Sequence, residues 1–336
     1  MQNTELLLKE LTLEEKCALL SGAETFKTRG MPKHGIPQIW LSDGPHGLRK
    51  QAGESDHLGL NPSVPATCFP TASAVANSWD AALGEEIGAA LGEEAAAQEV
   101  SVLLGPGLNM KRNPLCGRSF EYFSEDPYLA GKLAAGYIRG IQSKGVAACP
   151  KHFAVNSQET RRMASDSIVD ERTLREIYLT GFEIAVKEGH ARSIMTSYNP
   201  LNGYWTASNY DLVTTILRGQ WCYTGIVMSD WWAEGNDRNG AGSTKHVAAM
   251  VRAQNDVFMV VTDPEHNSGS DDLAVALTEG RLIRGELQRS AANICRFLLQ
   301  TPAFRRSIGR RRCFCLYHST VFSALPDFFR KKCRRG

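Results

Sequence analysis

Asp230 closes a short apolar run, Ile226-Val227-Met228, and two tryptophans, Trp231 and Trp232, follow it directly. A buried strand that delivers a carboxylate beside flat apolar rings suits a sugar, whose C–H faces stack on aromatics while the acid sits at the reacting carbon. An ordinary strand end requires neither the acid nor the second tryptophan. A polar loop start beside core tryptophans accounts for the same residues, so this motif alone leaves both readings open.

Further groups able to do chemistry follow short apolar runs, directly or, for Arg118, after an intervening Gly105-Pro-Gly107 loop. Asp43 lies in Ser42-Asp-Gly-Pro-His-Gly-Leu-Arg49, Arg118 in Asn113-Pro-Leu-Cys-Gly-Arg118, and Lys151 and His152 in Pro150-Lys-His152; Tyr198 lies in Ser197-Tyr-Asn199. The runs that precede such groups read as strands at Gln38–Leu41, Val100–Leu104, Val146–Cys149, Ser193–Thr196 and Gly225–Met228, with a further strand at Val257–Val261. Amphipathic stretches between them predict helices over Ala81–Val100, Asp126–Lys144, Asp170–Glu188, Tyr210–Gly219, Thr244–Gln254, Asp272–Gly280 and Gly285–Gln300. Ser124 is the predicted cap of the second, with Pro127 in its first turn. An Asp170 cap and a Leu174, Ile177, Phe182 face define the third, which stops at Gly189. Alternating βα units predict an α/β fold, with chemistry gathered at the strand carboxyl ends. A barrel and an open doubly wound sheet both place ligands there. No G-x-G-x-x-G or Walker motif supports nucleotide binding, and no H-x-H or comparable spacing supports a metal.

Taken in order, the segments resemble glycoside hydrolase family 3, in particular its bacterial β-glucosidases. The resemblance rests on Ser42–Arg49, Gly105-Pro-Gly-Leu-Asn109, Gly117-Arg-Ser-Phe-Glu-Tyr-Phe-Ser-Glu-Asp-Pro127, Lys151-His-Phe-Ala-Val-Asn-Ser-Gln-Glu-Thr-Arg-Arg162, Ser197–Asn199 and Ser229-Asp-Trp231, and covers roughly residues 10 to 300. It implies a TIM-like (β/α)8 barrel and a retaining hydrolysis of terminal β-glucosyl or related residues, with Asp230 as nucleophile. It also implies that Asp43, Arg118, Lys151, His152, Arg162 and Tyr198 bind or orient the sugar, with Trp231 as a stacking wall. Convergent charge-assisted hydrogen bonds suit an uncharged polyol. Each assignment has a structural rival: Asp43 as a turn residue, Arg118 clamped by Glu121, Glu125 or Asp126, Arg162 by Glu159, Lys151-His152 as a buried polar pair, and Tyr198-Asn199 as a turn beside Pro200.

Retention requires a second carboxyl group about 5–5.5 Å from the nucleophile. In the β-glucosidase branch that acid/base comes from a following sandwich domain. Another branch carries it after Lys-His-Phe-Pro-Gly-His, whereas this chain reads Lys151-His-Phe-Ala-Val-Asn156, against the N-acetylhexosaminidase branch. Glu159, Glu234 and Asp237 are the local carboxylates, none with a motif-based claim. Lys151 and Arg162 are expected to hold Asp230 ionised. The expectation is a β-glucosidase barrel domain, residues 1–302, impaired for want of its acid. A non-catalytic sugar-binding remnant and, more distantly, a Schiff-base aldolase-type barrel using Lys151 are the rival classes.

Composition sets the frame. The 336 residues are 43% hydrophobic and 22% charged, ordinary for a globular chain. The first 302 carry 28 basic against 35 acidic residues, whereas the last 34 hold ten basic residues and one acid. That tail, 303–336, contains Leu316-Tyr317 and Phe328-Phe329 and reads better as an irregular, frame-shifted extension than as a basic arm for nucleic acid or membrane. Scattered cysteines, nine in all, and the absence of a leader pattern or a membrane-length apolar run lead to the expectation of a cytoplasmic protein. Its expected partner is a small β-glucoside or oligosaccharide. No cofactor, nucleic acid or membrane is expected.

Overall fold

The computed structural model describes residues 2–53, 56, 60–237, 240–259 and 271–304. Within them the chain runs α1 (Gln2–Glu10), α2 (Leu13–Leu19), β1 (Gly22–Glu24), β2 (Lys27–Thr28), β3 (Trp40–Ser42), α3 (Ala72–Ala76), α4 (Ala81–Ala97), β4 (Val100–Leu103), α5 (Pro127–Ser143) and β5 (Ala147–Ala148). A helical run follows as α6 (Glu171–Thr173), a π-helical turn (Leu174–Leu179) and α7 (Thr180–Lys187). Then come β6 (Ser193–Met195), β7 (Pro200–Leu201), β8 (Tyr204–Trp205), a π-helix (Asp211–Gln220), β9 (Ile226–Trp231), α8 (Val247–Arg252), β10 (Val257–Met259), α9 (Leu273–Glu279) and α10 (Arg284–Leu298). The tail beyond Phe304 and Val260-Val261 of the last predicted strand lie outside the described residues.

The architecture is α/β. Two principal sheets form, ordered β1-β2-β3-β4-β5 and β10-β9-β6, with β7-β8 as a separate hairpin. Pairing is parallel from β3 through β5 and throughout the second sheet; β1-β2 and β2-β3 are antiparallel. The described strands thus form two ladders rather than one ring of eight. Short contacts join them at both margins. Phe153 N–H donates to the Met195 carbonyl at 2.7 Å and Met195 N–H to Pro150 at 3.1 Å; Phe258 N–H donates to Leu20 at 2.9 Å, beside a Ser21–Phe258 bridge.

Strand side chains alternate between two cores, as the pleat requires. Leu41, Val102, Ala147, Met195, Ile226 and Met228 share one cluster. Leu103, Ala148, Ile194 and Val227 point the other way, against α4, α5 and α7. α4 and α5 approach so closely that only glycine fits at the crossing. A Cβ on Gly88 would stand 2.4 Å from the Tyr137 carbonyl oxygen, and one on Gly140 2.1 Å from that of Glu85.

Helix ends follow the local signals in part. Asp170 accepts from Thr173 N–H and caps its helix. The α5 cap is Asp126, which accepts from Leu129 N–H at 2.7 Å, and not Ser124, whose hydroxyl supports Asp126 N–H instead. Ile177 is 41% exposed rather than buried with Leu174 and Phe182. The wider π turn over Leu174–Leu179 rotates the face, so Tyr178 and Leu179 go inward in its place. α8 begins only at Val247, three residues after the expected start.

Candidate active site

β9 is buried along its whole length and carries Asp230 as its penultimate residue. Met228 pairs with Val257 and Trp231 with Met259, so β9 holds one extra residue in that interval. Such a bulge re-aims side chains beside functional sites. Ser229 Oγ accepts from Met259 N–H at 2.9 Å and fills the interrupted ladder. Beyond the bulge Trp232 takes a left-handed φ of 54°, turning the chain away.

Asp230 is 7% exposed. Its Oδ1 accepts from Trp231 N–H at 2.8 Å, while Oδ2 is buried without a hydrogen-bond partner among the described residues. His152 Nε2 stands 3.7 Å from that oxygen, beyond hydrogen-bond range. Burial raises the Asp230 carboxyl above its ordinary range, against the lowering influence of Arg118, the Trp231 N–H, Lys151 and Arg162. The expectation that cations hold it low is therefore corrected. The cations are present, but desolvation outweighs them.

Lys151 sits at the centre of an alternating charge chain. Its Nζ donates to Asp43 Oδ1 at 2.8 Å and lies 3.8 Å from Glu121 Oε2, and Arg118 Nε binds the other Glu121 oxygen. Burial disfavours the lysine charge, but Asp43 and Glu121 prevail and hold the ammonium above its usual range. Asp43, opposed by its own burial, is held low by Lys151 and Arg118. The turn that presents Asp43 demands glycine twice. Gly44 and Gly47 adopt φ of 118° and 147°, and a Cβ on Gly44 would fall 1.9 Å from the Gly47 carbonyl oxygen.

His152 is locked by its backbone. Its N–H donates to Asn109 Oδ1 at 2.7 Å and its carbonyl accepts from Asn109 Nδ2 at 2.8 Å. Burial, then Arg118, Lys151 and Arg162, push its ring well below the usual histidine range, so it is neutral. Arg162 stacks 4.7 Å from the centre of the Tyr198 ring and donates to Glu159 Oε2 at 2.8 Å. Burial, with the Asp230 charge second, raises the Tyr198 phenol. Trp231 is 8% exposed; its indole N–H donates to the Thr25 carbonyl and its ring packs 5.4 Å from that of Phe26. Most of that ring lies in the core, with a small margin left for a ligand.

Six of the residues singled out from sequence are thus joined by contact or by charge around the seventh, Asp230, with Trp231 at their edge. Two rival clamps also occur, Arg118 with Glu121 and Arg162 with Glu159, within the same cluster rather than instead of it. Sequence reasoning passed over Tyr122, Asn109 and Asn156. All three lie inside the quoted motifs, but nothing in their types distinguished them from loop residues. Among the described residues no group of three or more His, Cys, Asp or Glu is placed to hold a metal, and no helix is long and apolar enough to cross a membrane.

Residues 17–297 match the glycosyl hydrolase family 3 N-terminal domain. The chain is 56% identical over 232 residues to thermostable beta-glucosidase B of Acetivibrio thermocellus, covering 69% of this chain and 31% of that protein. Among solved structures, a beta-glucosidase from Paenibacillus barengoltzii superposes with a TM-score of 0.83 at 47% identity, over 90% of this chain and 34% of the other. Beta-glucosidase 3B of Thermotoga neapolitana, solved with α-D-glucose, gives 0.81 at 39% identity, over 91% and 44%. The chain spans about a third of the length of the curated relatives it matches.

Proposed function

The chain belongs to glycosyl hydrolase family 3 through its N-terminal domain, and from that premise we propose that it holds the glycone pocket and nucleophile of a retaining β-glucosidase. The observation that carries this reading is the buried Oδ2 of Asp230, which has no hydrogen-bond partner of good geometry among the described residues and faces His152 amid Arg118, Lys151, Arg162 and Tyr198. A buried polar atom left unmatched asks for a reason. An anomeric carbon arriving at that oxygen supplies one. In the first step Asp230 displaces the aglycone and forms a glycosyl ester. In the second, water cleaves the ester and regenerates the carboxylate. Asp43, Lys151, His152, Arg118 and Arg162 hold the ring's hydroxyls, and Tyr198 orients the nucleophile.

The two ladders are, on this reading, parts of one barrel extending to residue 302. The contacts at both margins, Phe153–Met195 and Phe258–Leu20, support it. The carboxylates bonded into the cluster, Asp43, Glu121 and Glu159, each spend an oxygen on a cation. None is thereby left as the leaving-group acid. Where no other carboxyl supplies that proton, natural glucosides turn over roughly 10²–10⁴-fold more slowly. That observation also favours a second reading, a pocket that binds sugar without turning it over. The Schiff-base reading gains no support from Lys151, whose Nζ donates to Asp43 Oδ1 at 2.8 Å and lies 3.8 Å from Glu121, carboxylates that favour its charged, non-nucleophilic form.

The test is intact-mass analysis after incubation with a dinitrophenyl 2-deoxy-2-fluoro-glucoside, whose leaving group departs with little protonation. A stable adduct mapped to Asp230 is expected. Glucose binding without any adduct would establish the binding-only reading, and an adduct on another residue would refute the nucleophile assignment.

A further inference from the structure

Tyr122 touches none of the atoms at which the proposed chemistry occurs, yet it is 1% exposed and its phenol lies in a hydrogen-bonded row that ends at His152, the residue whose Nε2 faces the nucleophile. We propose that Tyr122 is a positioning residue: through a one-way relay from Asn156 it fixes the imidazole hydrogen of His152 on Nε2, the nitrogen that faces Asp230. The functional consequence rests on the glycosidase reading above; the relay itself does not.

The direction of the relay follows from chemistry at its far end. Glu159, bonded to Arg162, accepts hydrogen bonds and offers none. Asn156 therefore turns its amide nitrogen toward Glu159 Oε1, at 3.3 Å. The same Nδ2 stands 3.3 Å from the Tyr122 hydroxyl, which must accept there. A phenol has one hydrogen, and with the oxygen receiving from Asn156 that hydrogen is directed to His152 Nδ1, 3.1 Å away. A neutral imidazole that accepts at Nδ1 carries its hydrogen at Nε2. The ring cannot swing away from this arrangement. Asn109 holds the His152 backbone on both sides, and the two rings pack edge to face at 82° with centroids 6.3 Å apart.

At the near end Nε2 lies 3.7 Å from Asp230 Oδ2. A sugar hydroxyl seated beside both atoms accepts from Nε2–H and donates to the carboxylate. With the other tautomer Nε2 offers a lone pair, and two acceptors would face one hydroxyl hydrogen. Tyr122 thus decides whether His152 helps or competes at that position.

The experiment uses the full chain labelled with ¹⁵N-histidine and a long-range ¹H–¹⁵N correlation spectrum at neutral pH without ligand, the His152 signals being assigned by their loss in His152→Gln. The wild-type chain should show a protonated Nε2 and a bare Nδ1. Tyr122→Phe keeps the ring packing and removes the donor, and should admit the Nδ1–H form with roughly tenfold weaker glucose binding by calorimetry. Asn156→Ala leaves the phenol in place but frees its hydrogen, and should shift the tautomer the same way by less. Hydrogen found on Nδ1 in the wild type, or a Tyr122→Phe spectrum still wholly Nε2–H, would overturn the proposal. A shifted tautomer with unchanged glucose affinity would overturn its link to the sugar. Failure of the wild-type chain to bind glucose or form the fluoroglucosyl adduct would instead count against the glycosidase reading, which the ligand-free spectrum does not test.

Discussion

Asp230 combines two demands that oppose each other. A nucleophile must be ionised, and a carboxylate buried with one bare oxygen resists ionisation; here burial prevails over three nearby cations. The thermodynamic sign follows. A carboxyl whose folded pKa lies above its unfolded value contributes stability below the unfolded pKa, and that contribution is lost as pH rises through the folded value. Asp230→Asn abolishes this dependence. The variant should therefore melt higher than wild type at neutral pH. The gap should close as pH falls toward the ordinary carboxylate range, and the fluoroglucosyl adduct should vanish. Calorimetric melts between pH 4 and 7 check the first part; a variant less stable than wild type at neutrality would contradict it.

At the scale of elements, α4 and α5 depend on bare backbone. Exchanging a helical glycine for alanine normally favours the helix by up to ~1 kcal/mol. At Gly140 the added carbon would stand 2.1 Å from the Glu85 carbonyl and 2.6 Å from Ala89 N, both backbone atoms with nowhere to yield. Gly140→Ala should thus lower stability by about 1–3 kcal/mol, read in urea melts. Gly280→Ala, at φ 74° with open space around the missing carbon, tests backbone conformation alone. What was legible at this scale was whatever local chemistry decides. Asp170 announces a helix start, and Ala- and Leu-rich stretches announce helix length. What escaped was decided by distant partners. The three- and two-residue strands β1 and β2 exist only through their pairing with each other and with β3. Val155, a β-branched residue at φ 62°, is held by loop packing that its neighbours in sequence do not reveal.

For the molecule as a whole, six motifs in order made the family readable, and four of them set a chemically able group at or just after a strand end. Their wiring was not readable. Only the folded chain brings Glu121 between Arg118 and Lys151, or Tyr122 onto His152. Ligand linkage offers a global check. Glucose at 100 times its dissociation constant should stabilise the chain by about 2.7 kcal/mol, and Lys151→Met, which frees Asp43 from its partner, should lose most of that increment. The alternation of charge has a broader consequence. Asp43, Glu121, Glu159 and Asp230 stand against Arg49, Lys151, Arg162 and Arg118, so at a distance their fields cancel. An approaching molecule is neither steered nor repelled, and capture depends on hydroxyl geometry met at close quarters. Such a hollow suits neutral guests and should hold them about equally well in dilute and in concentrated saline.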